Sequence, residues 1–156
     1  MGQKTFFDSP IGKLTLAETD GKLSFVQLSS RFNPPDLPEA LSPVLLETKK
    51  QLQEYFDGTR QKFDLPLSPK GTPFQSRVWK ALLQIPYGET RSYQQIASMI
   101  GNAKGCRAVG NANGKNPMII LIPCHRVIAA NGNLGGYTGG IAIKKALLEL
   151  ESKERE

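Results

Sequence analysis

Pro66, Pro69 and Gly71 interrupt the chain at the point where its hydrophobic periodicity changes, and no single sheet or single helical bundle suits both sides of that break. Before it the pattern is strand-like. Lys13-Leu14-Thr15-Leu16-Ala17 alternates, Leu23 to Leu28 is rich in Phe and Val, and Asp20-Gly21 between them is a hairpin turn signal. Residues 33–43 are Pro-rich and read as a loop. Val44, Leu45, Thr48, Leu52, Tyr55 and Phe56 then recur at helical spacing up to Gly58, and a short strand is expected near Lys62–Leu65. The expectation is two lobes, 1–68 and 69–156, in an α+β fold.

After the break the pattern turns helical. Phe74, Val78, Leu82 and Ile85 form one stripe, ended by Pro86 and Gly88. Ser92 followed by Gln95 is a capping box opening a short helix with Tyr93, Ile96, Ala97 and Ile100 on its apolar side. A further helix is expected over about 104–114, and the pair joined through Gly101 reads as a helix-turn-helix. Met118 to Ile122 reads as a buried strand broken by Pro123. Residues 131–140, with five glycines, read as a loop, and a last helix over about 141–151 is expected to bury Ile143, Ala146, Leu147 and Leu150.

Charge follows the same division. Residues 1–68 carry 8 Lys+Arg against 9 Asp+Glu and residues 69–156 carry 12 against 5, so the net charge of +6 resides entirely in the second half. A basic half beside a neutral one suits a polyanionic partner, nucleic acid first, although a solvated basic surface has the same signature. No run approaches the ~20 apolar residues of a membrane span, and the start lacks a secretory h-region, so an intracellular, cytoplasmic location is expected. Cys106 and Cys124 are too few for a disulfide scaffold, and with one His they do not make a spaced zinc set, so no metal is expected.

The apolar run from Met118 ends in Pro123-Cys124-His125-Arg126-Val127. A thiol beside the sole imidazole of the chain is a candidate nucleophile; the alternative is a buried structural cysteine. Arg126 adds positive charge, so a low thiol pKa is expected. Neighbours on an extended segment point to opposite sides, which calls for a bridging water between Cys124 and His125. The imidazole then needs a carboxylate; Glu151 is the candidate, with Glu149 and Glu154 as rivals.

Ile122-Pro123-Cys124-His125-Arg126-Val127 resembles the active-site signature of the O6-alkylguanine-DNA alkyltransferases. The resemblance extends to Phe74-Gln75-Ser76-Arg77-Val78-Trp79, Tyr87-Gly88-Glu89, Ser92-Tyr93-Gln94-Gln95, Arg107-Ala108-Val109-Gly110, Asn116-Pro117 and Tyr137-Thr138-Gly139-Gly140. It is dense over about 72–151 and loose before that. It implies a ribonuclease-H-like first lobe with an antiparallel sheet and a mainly helical second lobe with a winged helix-turn-helix. It also implies irreversible, stoichiometric transfer of an alkyl group from O6-alkylguanine, or O4-alkylthymine, in double-stranded DNA, with no cofactor and the protein acting as a monomer.

By the same resemblance Cys124 accepts the alkyl group, His125 (through water) and Glu151 activate it, and Tyr93 donates a proton or hydrogen bond to the flipped guanine. Arg107 fills the gap in the base stack, and Asn116 ties the recognition helix to the active-site segment. Val127, Tyr137 and Thr138 line the guanine pocket, Pro123, Gly139 and Arg126 are further substrate- or DNA-binding residues, and Lys144 orders the loop. The helix from about 104 is placed in the minor groove; Ala108 and Gly110 give it the slim face that a groove only ~6 Å wide requires. The chain departs from family patterns at Ile119 (proline in some members), at Asn113 (often larger and apolar, implying weaker groove contact) and at Thr138 (commonly Ser). Cys106 is read as structural.

Competing readings are an alkyltransferase-like protein that binds lesions without chemistry, a helix-turn-helix regulator and a cysteine hydrolase. The first lacks an acceptor cysteine, the second leaves the 122–127 and 137–140 motifs unexplained, and adjacent Cys and His disfavour the third.

Overall fold

The computed structural model describes residues 2–31, 36–132, 134, 137 and 140–155, with no side chain described beyond Ser152. It divides into two compact units, Met1–Lys70 and Gly71–Glu156.

The first unit is a three-stranded antiparallel sheet in the order β1 (Gly2–Ser9), β2 (Gly12–Thr19), β3 (Lys22–Leu28). Asp20 and Gly21 both take positive φ, 52° and 82°, as a two-residue hairpin with right-handed strand twist requires. A register shift between Ala17 and Glu18, which pair with Phe25 and Leu23, marks a bulge beside that turn with Ser24 of β3 as the extra residue. Helix α1 (Pro43–Phe56) starts from Ser42, whose hydroxyl accepts from Leu45 N, with Pro43 at the first position, where its missing N–H costs nothing. It packs on the sheet through Leu45, Thr48, Leu52 and Tyr55, against a core of Leu14, Leu16, Leu23 and Val26. The strand expected near 62–65 does not form. Pairing is limited to one bridge, Leu23 with Leu67, held by Leu23 N to Pro66 O and Ser68 N to Leu23 O at 2.8 Å each; Pro66 has no N–H with which to extend a ladder.

The second unit is mainly helical. It contains α2 (Pro73–Leu82), β4 (Arg91–Ser92), α3 (Tyr93–Met99), α4 (Cys106–Gly114), a 3-10 turn (Cys124–Arg126), β5 (Val127–Ile128) and α5 (Ile141–Arg155). Capping boxes open both α2 (Thr72, Gln75) and α3 (Ser92, Gln95), the second as the spacing implied. The Trp79 indole donates to Ala112 O at 3.0 Å and ties α2 to α4. β4 and β5 pair as a two-residue parallel ladder. An antiparallel sheet unit followed by a helical unit is the expected α+β class. No helix among the described residues is long and apolar enough to cross a membrane.

Two expectations fail in this unit. Met118 to Ile122 is buried but is not a strand. Pro117 and Pro123 remove N–H donors at both ends, Leu121 N turns back to Ile119 O and Ile122 N to Met118 O, and Ile120 takes φ 74°. A β-branched residue in that region costs about 1–3 kcal/mol and persists only where its surroundings over-determine it. On α5 the buried stripe is Lys144, Leu147 and Glu151; Ala146 is exposed and Ile143 and Leu150 half-buried. Apolar periodicity missed it because two of its three members are charged.

Candidate active site

Cys124 begins the 3-10 turn and is completely buried. The extended geometry expected for this segment is therefore absent. At three residues per turn, however, neighbouring side chains still diverge by about 120°, so Cys124 and His125 face different surroundings. Burial pushes the thiol up to about 11, against partial relief from the Asn116 amide, the Tyr137 hydroxyl, the charge of Lys144 and the Cys124 backbone N–H. The low thiol pKa expected from the sequence is contradicted: the resting group is a neutral thiol.

The reason lies partly in Arg126. Its guanidinium is committed elsewhere, with Nε to Glu151 Oε1 at 2.8 Å, Nη2 to Glu151 Oε2 at 3.0 Å and Nη1 to Ile85 O at 2.7 Å. The cation whose charge reaches the thiol is Lys144, 20 residues along the chain. Lys144 is itself fully buried, donates to Val127 O at 2.6 Å and to Leu134 O, and lies 6.0 Å from the centroid of the Tyr93 ring. Burial pulls its pKa down to about 8, opposed by Cys124.

His125 Nε2 and Glu151 Oε2 are 2.7 Å apart, both side chains buried. Glu149 is exposed, and the side chain of Glu154 lies outside the described residues. Burial lowers the imidazole pKa despite Glu151, so the ring is neutral near pH 7. Glu151 is held well below the usual carboxylate range: burial raises it, but hydrogen bonds from His125 and Arg126 and the charge of Arg126 outweigh that. With the ring neutral, Arg126 is the balancing charge. Gly88 N adds a fourth donor to Glu151, at 3.3 Å. A neutral imidazole that gives its Nε2–H to the carboxylate leaves Nδ1 as an acceptor, and Nδ1 has no hydrogen-bond partner among the described residues. That is a base in waiting.

Tyr93 is the first residue of α3, fixed by the Ser92 cap, and half-buried. Burial, then the charge of Cys124, raises its pKa, which keeps the hydroxyl protonated and able to donate. A methyl built on Gly110 would lie 3.8 Å from its ring, so α4 approaches Tyr93 closely. Arg107 and Ala108 are exposed on α4. Pro123 and Val127 are buried and Tyr137 is half-buried; Thr138 and Gly139 lie outside the described residues.

Two asparagines anchor the acceptor segment. Asn116 donates to Ile122 O at 2.7 Å and accepts from Met118 N at 3.0 Å. Asn113, expected in the groove, is instead buried and donates to Cys124 O at 3.3 Å. Sequence reasoning missed this role, and also missed Ile85 O and Gly88 N, because backbone partners leave no residue-type signal. Cys106 is half-buried, its thiol 3.0 Å from Gln94 Oε1. Among the described residues no cluster of three His, Cys, Asp or Glu could hold a metal.

Two family models match the chain: the ribonuclease-like domain of 6-O-methylguanine DNA methyltransferase over residues 3–69, and its DNA binding domain over residues 73–153. A methylated-DNA–protein-cysteine methyltransferase of Methanosarcina acetivorans is 47% identical over 148 residues, covering 93% of this chain and 95% of that protein. The crystal structure of a Mycobacterium tuberculosis O6-methylguanine methyltransferase superposes with a TM-score of 0.91 at 48% identity, covering 99% of this chain and 94% of that one. A structure of the Mycobacterium tuberculosis protein OGT in complex with DNA superposes at 0.90, with 48% identity and coverage of 98% and 93%.

Proposed function

The chain belongs to the 6-O-methylguanine DNA methyltransferase family, and from that membership we propose that it repairs O6-alkylguanine in duplex DNA by moving the alkyl group onto Cys124, once per molecule. It binds DNA and reverses alkyl damage directly, by transfer to a cysteine. The observation that carries the assignment to Cys124 is the buried array behind it: a neutral imidazole whose free nitrogen is an acceptor, held by a carboxylate that Arg126 keeps ionised.

The damaged base leaves the duplex, because a base inside the stack is out of reach of a buried thiol. Exposed Arg107 takes its place in the stack, and Ala108 and Gly110 let α4 approach through the minor groove. His125 Nδ1 removes the thiol proton through a water molecule. The sulfur then attacks the alkyl carbon; the S–C bond forms as the C–O6 bond breaks, and its electron pair passes into the guanine ring. Tyr93, kept protonated, donates to the leaving guanine, and the proton released from the thiol ends on the restored base, so charge and protons balance. Val127 and Tyr137 line the base pocket, Lys144 braces it, and the protein acts as a monomer. The product is a thioether, and no group among the described residues of the site offers a route to cleave it.

Intact mass after mixing with duplex DNA containing O6-methylguanine tests this: the protein gains one methyl in place of one proton, on the peptide bearing Cys124. Binding with unchanged mass would reduce the activity to lesion recognition.

Arg107→Ala separates flipping from chemistry. At saturating DNA it slows repair of the duplex by about tenfold or more, since unstacking costs a few kcal/mol and ~1.4 kcal/mol is tenfold. Reaction with free O6-methylguanine base is unchanged, because a free base needs no flipping. Equal slowing on both substrates would move Arg107 from the stack to the pocket; weaker, less salt-dependent DNA binding alone would make it a phosphate contact.

A further inference from the structure

Both sides of the Cys124 α-carbon are tied. Its N–H donates to Ile122 O at 2.7 Å, and Ile122 O is itself held by Asn116. Its carbonyl is held by Asn113, which sits in the last turn of α4 and is only 3% exposed. A carbonyl only accepts, so the Asn113 amide must present nitrogen to Cys124, and this fixes its oxygen. Asn113 Oδ1 is buried and has no hydrogen-bond partner among the described residues. A buried amide with one half unmatched costs more than an apolar side chain of the same size, so packing alone gives no reason for asparagine here. What the residue supplies is the single bond to Cys124.

We propose that Asn113 is a positioning residue for alkyl transfer: it pins the Cys124 backbone from α4, so that the thiol rotates about χ1 only and is aimed at the alkyl carbon. This rests on Cys124 being the acceptor. It also makes the helix that meets DNA and the nucleophile one rigid piece, because Asn113 and Asn116 clamp the carbonyls of 124 and 122 from the same helix end. The Asn116 amide and the Cys124 N–H, two of the three neutral groups that help this thiol ionise, both depend on that backbone staying in place.

The test uses Asn113→Asp, which keeps shape but cannot donate when ionised, and Asn113→Leu, which fills the same space without polarity. Single-turnover rates are measured on duplex O6-methylguanine and on the free base, across pH. Both variants should lose roughly tenfold or more in transfer rate on both substrates, as small misplacements of reacting groups do. Half-saturating DNA should stay within about threefold of the parent, and the pH of half-maximal rate should rise. Rates within about twofold of the parent on both substrates would overturn the proposal. So would slowing confined to duplex DNA, which makes Asn113 a docking residue. If Asn113→Leu fails to fold, Asn113→Asp decides. A parent that transfers nothing defeats the Cys124 assignment instead, so the two failures are distinguishable.

Discussion

Cys124→Ala is expected to abolish alkyl transfer and leave binding to duplex DNA intact. The nucleophile disappears, and no other group among the described residues of the site can replace it: His125 is bound to Glu151, and Lys144 holds Val127 O and Leu134 O. Binding survives because the exposed face of α4, with Arg107 and Ala108, does not depend on a completely buried sulfur. Losing that sulfur leaves a small cavity, a cost of about 1–2 kcal/mol, which a folded domain tolerates. The checks are intact mass with damaged duplex and a binding isotherm with undamaged duplex at fixed salt. A variant that still gains a methyl, mapped to Cys106, would transfer the assignment to that residue.

Glu151→Gln should be the most damaging change that keeps the shape of the site. It removes the charge that Arg126 contacts twice and turns one of the two acceptor oxygens into a donor NH2, so His125 and Arg126 can no longer both keep their acceptors. Leaving a buried cation uncompensated costs about 3–5 kcal/mol, so the melting temperature should fall by roughly 10 °C in a chain of this size. Transfer should fall as well, since a reoriented imidazole no longer offers Nδ1. The parent carries a related pH signature. The buried imidazole has its pKa lowered, so the unfolded chain takes up a proton near pH ~6.5 that the folded chain refuses. Glu151 behaves alike below pH ~4.3. In both cases the unfolded state binds more protons, so stability is full above these values and is lost as pH falls. A denaturant midpoint that is flat from neutral pH to about 5 would remove the buried neutral histidine from the account.

What could be read from the sequence divides along physical lines. Local signals were legible: the Asp20-Gly21 turn and the Ser92–Gln95 capping box act within four residues and carry their own chemistry. The motif around Pro123 located Cys124 and His125 in the chain, and the need of the imidazole for a carboxylate singled out Glu151 on the last helix. Misreadings came where tertiary structure overrode a local pattern. Met118 to Ile122 has the composition of a strand, but two prolines and the Asn116 side chain fold it into turns. Arg126 looked like the activating charge because it is near in sequence, yet Glu151 and Ile85 O claim it, and Lys144 takes the position beside the thiol. The thiol pKa was misjudged for the same reason. Neighbouring residue types argued for ionisation, while the decisive quantity was desolvation, which no local pattern encodes.

That desolvation bears on how a single-use molecule survives until it is needed. Oxidation of cysteine requires exposure and thiolate character, and Cys124 at rest has neither, being fully enclosed with its proton retained to about pH 11. Peroxide or a disulfide in the surrounding solution meets half-buried Cys106 first. A permanently ionised acceptor would react faster with damaged DNA but would also be spent on any passing oxidant, and Cys106, on α4, does not stand behind it in the site to resume the work. Enclosure therefore sets the shelf life of the idle protein as much as it sets the barrier of its one reaction.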